Sequence, residues 1–581
     1  MDTIGGKRMV ARTSSAWRLA LAGLFFVLVG SLNAQTVDGL LDDSVLRDKI
    51  DPLLALDLAD AGDEETITCF VILESTGATL LKDQLPVPQR IELYRRLAFD
   101  MQLRLLEEVA GEHGEAMSLI EQHWLLNAMI VEGKPSDIRR LARNKKVRKI
   151  ARGGQIRLID PSETITVVAS QGTAWNVAMV GADDGWGRGY DGSGIIVGHL
   201  DTGVDPSHPA LAGKWAGYWY DAVEGRSEPY DDHGHGTHTL GTLLGGDGEG
   251  SWDFDIGVAP GAQWVGAKVL DDKGNGSYRQ CLNGLQYIVE LKSHGVDVRI
   301  VCGSWTLDDM GYDVLLDVCN TLLDLDILPV FAVGNDGPEP GSADVPGCYP
   351  SVLAVGALDE DGLTPAFSSR GPAPRLNAGE TAPLVPNSRF HKPDLSAPGV
   401  SVCSSVPGGG YALMSGSSMA APHVAGAAAL LLDKNPSLLP RDLAAALLGS
   451  ARPTLVAAVL PDNNIGWGIL DIQAALASVQ DAMATAVEDP IRLEPAVSVR
   501  TGRGAGAIIS YSLSRGVSGS IEVYDLAGRL VRRFEVQGNG SPRETYWDGA
   551  DSHGRRVTSG VYVARLTGGS VQASRTFSLI R

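Results

Sequence analysis

Residues 194–205 read GIIVGHLDTGVD, a short apolar run that ends in an aspartate and a glycine turn. Four more apolar runs of this kind follow it, separated by segments with helical character. Continuous apolar runs of this length are typical of parallel strands that are buried on both faces. They are WVGAKVLD (264–271), DVRIVCGSW (297–305), LPVFAVGND (328–336) and SVLAVGALD (351–359). The sequence therefore predicts an α/β domain over residues 165–485, with a mainly parallel sheet and helices on both faces.

Four polar residues stand at the ends of these predicted elements. Asp201 and Asn335 follow apolar strands, whereas His235 opens the glycine-flanked helix of HGTHTLGTLLGG. Ser418 lies at the start of the helix in GSSMAAPHVAGAAALL. Residues just beyond the carboxyl ends of parallel strands line the crevice in which ligands bind. We therefore expect the four side chains to meet at one edge of the sheet.

A carboxylate, an imidazole, a carboxamide and a hydroxyl are the groups that serine nucleophile chemistry requires. A serine hydroxyl needs a base to take its proton, and the oxyanion that follows needs donors already in place. At the start of a helix, the Ser418 side chain is expected to be exposed, with unsatisfied backbone N–H groups beside it. Gly416 permits the tight turn that precedes it.

The motifs DTGVD, HGTH, AVGN and GSSMAAPHVAG, in this order, resemble those of the subtilisin-like serine protease family, peptidase S8. The resemblance covers about residues 165–480. Shorter stretches agree with it: GVAPGA (257–262), YPSVLAVGA (349–357), FSSRGP (367–372), KPDLSAPG (392–399) and GWGILD (466–471). The resemblance implies a serine endopeptidase with the subtilisin-like fold.

The resemblance also implies a role for each polar residue. Asp201 would orient the imidazole of His235, which would act as general base and then as general acid. Ser418 would be the nucleophile. Asn335 would donate its amide to the oxyanion, together with the backbone N–H of Ser418.

For the substrate cleft, the resemblance implies that Ser304–Trp305 and Val333–Gly334 form walls that pair with the peptide backbone. Asp308 and Asp309 follow the first wall closely. A preference for basic substrate side chains is one interpretation of these acids, and simple exposure to water is the other.

Three positions compete with the assigned ones. His238 is the second histidine of HGTH, and we expect it to pack or to bond locally. Ser417 stands next to Ser418, but the family nucleophile directly precedes the methionine. His233 and the loop DDKGNGS (271–277) contain metal-ligand residue types, although a solvated turn is the simpler interpretation. No cofactor is expected to be required, and a structural calcium ion stays possible without an assignable site.

The first 34 residues have the pattern of a secretory signal peptide. Basic residues precede the apolar run Leu19–Gly30, and the small residue Ala34 follows at the expected cleavage position. The run is shorter than the roughly 18–20 residues of a membrane-spanning helix. The sequence therefore predicts an exported protein, either secreted or associated with the cell surface.

Residues 35–160 are expected to form a small α+β region that resembles the inhibitory prodomain of this protease family. The predicted strands are ETITCFVILES (65–75), EQHWLLNAMIVEG (121–133) and VRKIARG (147–153). Helices are predicted over 88–109 and over PSDIRRLARN (135–144), with Ser136 as the cap. The resemblance makes this region an intramolecular inhibitor.

Beyond a predicted linker at 486–496, residues 497–581 contain short strands separated by turn signals, which predict a β-sandwich. VYDLAGR, WDG and SGVYVARL resemble the FlgD-like immunoglobulin module and the C-terminal sorting domains of type IX secretion, although the lysine-rich ending of the latter is absent. From Val497 onward, twelve arginines and six acids give +6, which leaves −27 on the rest of a chain that carries −21. We therefore expect a cell surface or secretion machinery as a partner, besides protein substrates.

The overall negative charge argues against nucleic acid as the main partner. Two other functions are open to this sequence: a binding protein built on an inactive protease fold, and a different serine hydrolase such as an esterase. No triad residue is missing, which disfavours the first, and the GxSxG pattern of esterases is absent around Ser418. The six cysteines show no framework, so buried thiols and one or two bridges both remain open.

Overall fold

The structure is a computed structural model of the chain. It describes residues 43–75, 85–113, 117–158, 164–167, 173–246, 255–308, 315–373, 384, 391–454, 460–481, 497–501, 506–511, 513, 516–525, 530–538, 543–552, 554–557, 560–568 and 571–579. The predicted signal peptide, the linker at 486–496 and Asp309 lie outside these residues. The chain divides into two compact units, Met1–Ala482 and Met483–Arg581.

The N-terminal region, residues 43–158, builds an antiparallel four-stranded sheet with helices. Its strands are β1 (Ile67–Leu73), β2 (Ser118–His123), β3 (Ala128–Gly133) and β4 (Val147–Ala151), in the order β2-β3-β1-β4. Its helices are α1 (Ser44–Lys49), α2 (Pro52–Asp60), α3 (Val87–His113) and α4 (Pro135–Ala142). The region therefore has the α+β composition that the sequence predicts.

Two local predictions in this region are wrong. The stretch 121–133 is not one strand, because a turn at residues 124–127 divides it into β2 and β3 and Asn127 adopts a positive φ of 53°. The apolar side chains of the turn are buried outside the four-stranded sheet. Ser136 does not cap α4: this helix begins at Pro135 with no side-chain cap. Proline suits the first helical position because its φ is preset and its missing N–H would be unpaired there anyway.

A seven-stranded sheet forms the centre of the α/β domain, which comprises the described residues between 173 and 481. Every pairing in it is parallel, in the order β15-β14-β13-β11-β7-β9-β8. The strands are β7 (Ile196–Asp201), β8 (Trp215–Asp221), β9 (Gln263–Lys268), β11 (Val298–Gly303), β13 (Leu328–Ala332), β14 (Leu353–Leu358) and β15 (Leu395–Pro398). This confirms the predicted parallel sheet.

Helices cover both faces of this sheet, and they are α5 (Trp175–Val180), α6 (Ala182–Trp186), α7 (His235–Leu244), α8 (Tyr278–Ser293), α9 (Leu316–Asp324), α10 (Ser417–Lys434), α11 (Pro440–Ser450) and α12 (Ile472–Ser478). Side chains of alternate strand positions enter two different apolar clusters. Val330 shares one cluster with α7, α10 and α11, whereas Phe331 shares the other with α8 and α9. The alternation places the helices in two layers, as a doubly covered parallel sheet requires.

Short strands at the carboxyl edge of the sheet receive the chain that leaves the N-terminal region. Strand β5 (Gln155–Leu158) pairs antiparallel with β10 (Asn275–Ser277) on one side and with β12 (Trp305–Asp308) on the other. Strand β6 (Thr164–Val167) then pairs antiparallel with β17 (Gly410–Met414), which also pairs with β16 (Val402–Val406). The chain therefore contributes strands to the α/β domain on both sides of residues 159–163.

The second compact unit consists of two antiparallel sheets. One has the order β18-β19-β22 and the other β21-β20-β23-β24. The strands are β18 (Val497–Thr501), β19 (Ala507–Tyr511), β20 (Ser518–Asp525), β21 (Leu530–Gln537), β22 (Arg543–Trp547), β23 (Gly560–Gly568) and β24 (Val571–Leu579). Ile509 and Trp547 of the first sheet share one apolar cluster with Val523 and Leu566 of the second.

All six cysteines are buried and unbridged. No described helix combines the length and the apolar composition needed to cross a membrane.

Candidate active site

The topology brings the four predicted polar residues to the carboxyl edge of the parallel sheet. Asp201 is the last residue of β7, and Asn335 follows β13. His235 is the first residue of α7, and Ser418 is the second residue of α10. The side chains come from four different elements, and only the fold brings them together.

Asp201 and His235 form a buried pair. The Oδ1 atom of Asp201 lies 2.7 Å from Nδ1 of His235, and neither side chain is exposed. The backbone N–H of Thr202 donates to the same oxygen at 2.8 Å. Burial alone would raise the pKa of Asp201, but the attraction of His235 and the hydrogen bonds from His235 and Thr202 outweigh it and lower the pKa. The carboxylate is therefore ionised and fixes one imidazole nitrogen.

The turn before α7 orients His235 through a residue that the sequence analysis missed. Oδ1 of Asp231 accepts the backbone N–H groups of His233 and Gly234, and its Oδ2 accepts the N–H and the hydroxyl of Thr237. A carboxylate four residues before the histidine was the available signal, since aspartate side chains organise turns by bonding nearby N–H groups.

Ser418 lies at the first turn of α10, and Ser304 contacts it. The Ser304 hydroxyl donates to the Ser418 carbonyl oxygen at 2.9 Å, and the Ser418 hydroxyl lies 3.4 Å from the Ser304 carbonyl oxygen. Nε2 of His235 has no hydrogen-bond partner within the described part of the chain. The expected exposure of the serine is wrong: Ser418 is 0% exposed, in a structure where residues 155–158 occupy the adjoining cleft.

Asn335 has its carboxamide orientation fixed by Ser417. Its Oδ1 accepts the backbone N–H and the hydroxyl of Ser417, both at 2.9 Å, so Nδ2 points to the other side. A Cβ added to Gly416 would lie 3.0 Å from Nδ2 and 3.6 Å from the backbone nitrogen of Ser418. Two N–H donors therefore flank one small space, which a side chain at position 416 would fill.

The competing residues have other contacts. Nε2 of His238 lies 3.1 Å from the Val402 carbonyl oxygen and 3.0 Å from that of Ala412, and burial lowers the pKa of His238 to about 3. The Ser417 hydroxyl bonds to Gly334 and Asn335. Among the described residues, no group of three or more His, Cys, Asp or Glu side chains could hold a metal ion.

The cleft walls hold β5 between two strands. Leu158 pairs with Trp305, and its N–H donates to the carbonyl oxygen of Gly274 at 2.7 Å. The second wall is thus β10, within the loop that we interpreted as a solvated turn. The interpretation holds for the exposed turn at Asp272 and Lys273, but not for Asn275–Ser277, where Gly276 is buried too close to Val269 and Ile156 to admit a side chain.

The backbone of the predicted wall Val333–Gly334 is used inside the domain. The N–H of Val333 donates to Val355, and its carbonyl oxygen accepts from Asp344. The carbonyl oxygen of Gly334 accepts from Ser369 and from the Ser417 hydroxyl. These two residues lie beside Asn335 and shape the site without pairing to β5.

Comparison with known proteins gives one family and a series of relatives. Residues 192–468 match the model of the Subtilase family. The chain is 32% identical to bacillopeptidase F of Bacillus subtilis (strain 168) over 401 residues, which are 63% of this chain and 27% of that protein. It is 34% identical to subtilisin E of the same organism over 272 residues, 46% of this chain and 63% of that protein. It is 33% identical to a subtilisin of Bacillus pumilus over 272 residues, covering 87% of that protein.

The chain therefore spans 27% of the length of bacillopeptidase F and 63% of the length of subtilisin E. The matched family region contains all four polar residues described above, and it excludes the N-terminal region and the second compact unit.

Proposed function

Because this chain belongs to the subtilase family, we propose that it is an exported serine endopeptidase. The buried 2.7 Å contact between Asp201 and His235 carries the proposal, since it holds an imidazole ready to act as a base at the site that Ser418 and Asn335 share.

In this mechanism, His235 takes the proton of the Ser418 hydroxyl as the serine oxygen attacks a peptide carbonyl carbon. His235 then gives the proton to the leaving amine, and a water molecule repeats the two steps on the acyl-enzyme. Asn335 Nδ2 and the Ser418 N–H bind the oxyanion. Loss of one such donor costs about 2.7–4 kcal/mol in this family. No cofactor enters these steps, and a structural calcium ion would act on stability alone.

Hydrolysis of an unstructured protein by the wild-type chain and by Ser418→Ala tests the proposal. We expect cleavage by the wild type and none by the variant. Ser396→Ala is the matched control and should cleave as the wild type does, because Ser396 is a buried serine whose hydroxyl bonds to the Ile465 carbonyl oxygen. An active Ser418→Ala chain would show that another residue is the nucleophile.

The N-terminal region would be the prodomain that inhibits this site. Strand β5 occupies the cleft as an extended peptide, paired on both edges, which is how proteins bind a substrate strand. The pairing ends at Leu158, and β6 begins at Thr164 on a strand that ends four residues before Ser418. Cleavage by Ser418 is therefore expected between Leu158 and Thr164.

Mass spectrometry of the purified chain tests this processing. The wild type should lose all residues before a cut within 158–164, whereas Ser418→Ala should keep them after signal removal. Trimming of the Ser418→Ala chain at the same place, without added protease, would contradict self-processing.

The second compact unit would serve sorting or attachment and take no part in hydrolysis. Its resemblance to FlgD-like and sorting modules and its charge of +6 support an anionic cell surface or secretion machinery as the partner. Truncation near Glu494 should leave peptide hydrolysis intact and change where the protein is found. Loss of hydrolysis would instead make the module part of the peptidase.

A further inference from the structure

Two buried residues, His199 and Thr239, lie behind the Asp201–His235 pair. His199 precedes Asp201 by two residues in β7, so both side chains are on one face of the strand. Thr239 follows His235 by four residues in α7, so both are on one face of the helix. Nε2 of His199 lies 2.9 Å from the Thr239 hydroxyl oxygen, which lies 3.2 Å from Oδ2 of Asp201.

The two oxygens of Asp201 have different donors. Oδ1 accepts from His235 and from the backbone of Thr202, at 2.7 and 2.8 Å. Within the described residues, the hydrogen-bond donor to Oδ2 is the Thr239 hydroxyl. Asp201, His199 and Thr239 are at most 2% exposed, so bulk solvent does not reach them. A buried carboxylate oxygen without a hydrogen-bond donor is costly in free energy, so the Thr239 hydroxyl stabilises the negative charge of Asp201.

The direction of these hydrogen bonds follows from the single proton of the Thr239 hydroxyl. If it pointed to His199, or to the Gly236 carbonyl oxygen that also lies 3.2 Å away, Oδ2 of Asp201 would lose its donor. His199 therefore carries a proton on Nε2 and donates it to Thr239, which donates its own to Asp201. Burial lowers the pKa of His199 more than Asp201 and Asp231 raise it, while His235 lowers it further, so the imidazole is neutral. The facing strand β11 places Cys302, a neutral thiol, opposite it.

We propose that His199 and Thr239 are positioning residues that anchor the second oxygen of Asp201 and so fix the plane of this carboxylate against His235. This rests on the proposed function. A carboxylate held through one oxygen can rotate about its Cβ–Cγ bond, whereas one held through both cannot. The anchored carboxylate stabilises the imidazolium that forms when His235 takes the proton of Ser418. The carboxylate does not have to reorient during this step.

Thr239→Val removes the hydroxyl at nearly constant shape and is the main test. Thr242→Val is the matched control, since Thr242 is a fully buried threonine of the same helix whose hydroxyl bonds to the His238 carbonyl oxygen. We expect kcat for a peptide substrate to fall about tenfold to a hundredfold in Thr239→Val, with KM almost unchanged. Thr242→Val should lower the thermal midpoint comparably and leave kcat unchanged.

The pH profile separates positioning from loss of structure. Without the Thr239 donor, the charge of Asp201 acts undiminished on His235, so the ascending limb of kcat/KM should move to higher pH in Thr239→Val. Thr239→Ser retains a hydroxyl and should restore both kcat and the limb. His199→Phe should give the same direction of change, and Thr239→Val decides the matter if His199→Phe does not fold.

A Thr239→Val chain that matches Thr242→Val in kcat and in pH profile would overturn the inference and leave the proposed function intact. An inactive wild type would instead reject the proposed function. In that case the low-field proton resonance of the His235 Nδ1–H still tests the anchor, in a Ser418→Ala background. The resonance should shift in Thr239→Val and stay in place in Thr242→Val, and an unmoved resonance in both would overturn the inference.

Discussion

The α/β domain and the N-terminal region bury their apolar side chains in different ways. The N-terminal region has one apolar cluster of its own, formed by residues such as Leu54, Val71 and Leu141. Its opposite side, with Phe70 and Trp124, enters a cluster that belongs to the helices α8 and α9 of the α/β domain. One face of the region therefore packs within its own core, while the other face packs against the α/β domain.

Polar contacts surround this shared cluster. Trp124 donates through its indole N–H to Glu290 at 2.9 Å, and its backbone N–H donates to Gln286 at 3.0 Å. At the rim, Arg148 pairs with Asp317, and β5 continues the contact into the cleft. The α/β domain therefore holds the proposed active site, and the N-terminal region is bound to it as a separate part of the same chain.

The largest expected effect separates chemistry from docking. Ser418→Ala should lower kcat by about a millionfold, since nucleophile and base act as one unit. The two regions should remain folded and joined, with the circular dichroism spectrum of a folded chain. Double substitution with His235→Ala should add almost nothing, as measured by the steady-state rate of peptide ester hydrolysis. Additive losses would mean that the two residues act separately.

The next effect weakens docking and leaves chemistry intact. Trp124→Ala removes a 2% exposed indole together with its hydrogen bond to Glu290, which should cost about 2–4 kcal/mol of binding. Inhibition of the processed enzyme by the isolated region 35–158 should therefore weaken at least about thirtyfold. Leu119→Ala, on the same β2–β3 hairpin and 42% exposed, is the control. Equal inhibition constants for the two variants would contradict the docking role of Trp124.

A smaller effect depends on pH. His123 is buried next to Phe70, and neither ring nitrogen has a hydrogen-bond partner among the described residues, although Nε2 lies 3.7 Å from a carboxylate oxygen of Glu121. Burial lowers its pKa to about 4, while Glu121 raises it and Arg279 lowers it. As the pH falls, the unfolded chain binds a proton at His123 before the folded chain does. The free energy of unfolding is therefore unaffected by His123 above about pH 6.5 and falls by about 3 kcal/mol as the pH drops to about 4.

Urea unfolding of the Ser418→Ala chain between pH 7 and 4 measures this slope. In a His123→Phe variant the slope should be shallower, while the buried histidines of the α/β domain, His238 and His423, contribute equally to both chains. Identical slopes would show that His123 does not lose its environment on unfolding.

The smallest effect lies in the cleft itself. The Arg157 guanidinium pairs with the Asp336 carboxylate at 3.1 Å, but the two side chains are 44% and 52% exposed. Exposed pairs contribute about 1 kcal/mol or less. Arg157→Ala should therefore change the inhibition constant less than fivefold, and the difference should vanish at high salt. If Arg157→Ala changed the inhibition constant as much as Trp124→Ala does, the cleft contacts would contribute much of the binding free energy, contrary to this prediction.

Sequence patterns predicted the features that depend on local burial. Apolar runs gave the parallel strands, and the residues that end them, Asp201 and Asn335, lie at the predicted edge. The hairpin in 121–133 escaped prediction because its apolar turn is buried against a helix more than 150 residues away. The sequence did not predict strand β10, because this strand pairs through its backbone and DDKGNGS has no alternation of apolar and polar side chains.

The anchor behind Asp201 was missed for another reason. The spacings H-x-D at 199–201 and H-x-x-x-T at 235–239 are visible in the sequence, but each has meaning only when β7 and α7 lie side by side. The contact between the Thr239 hydroxyl and Asp201 depends on how the strand and the helix pack together. The sequence of either element alone does not predict it.

Strand β5 is the middle strand of a three-stranded sheet, so its departure leaves two facing edges, β10 and β12, each with unpaired backbone groups. Only a chain that is itself free on both edges can occupy such a gap. The strands of an amyloid fibril are hydrogen-bonded above and below and offer neither edge. One and the same peptide should therefore be degraded as a monomer and spared as a fibril, so that dissolution of the aggregate sets the pace of its removal.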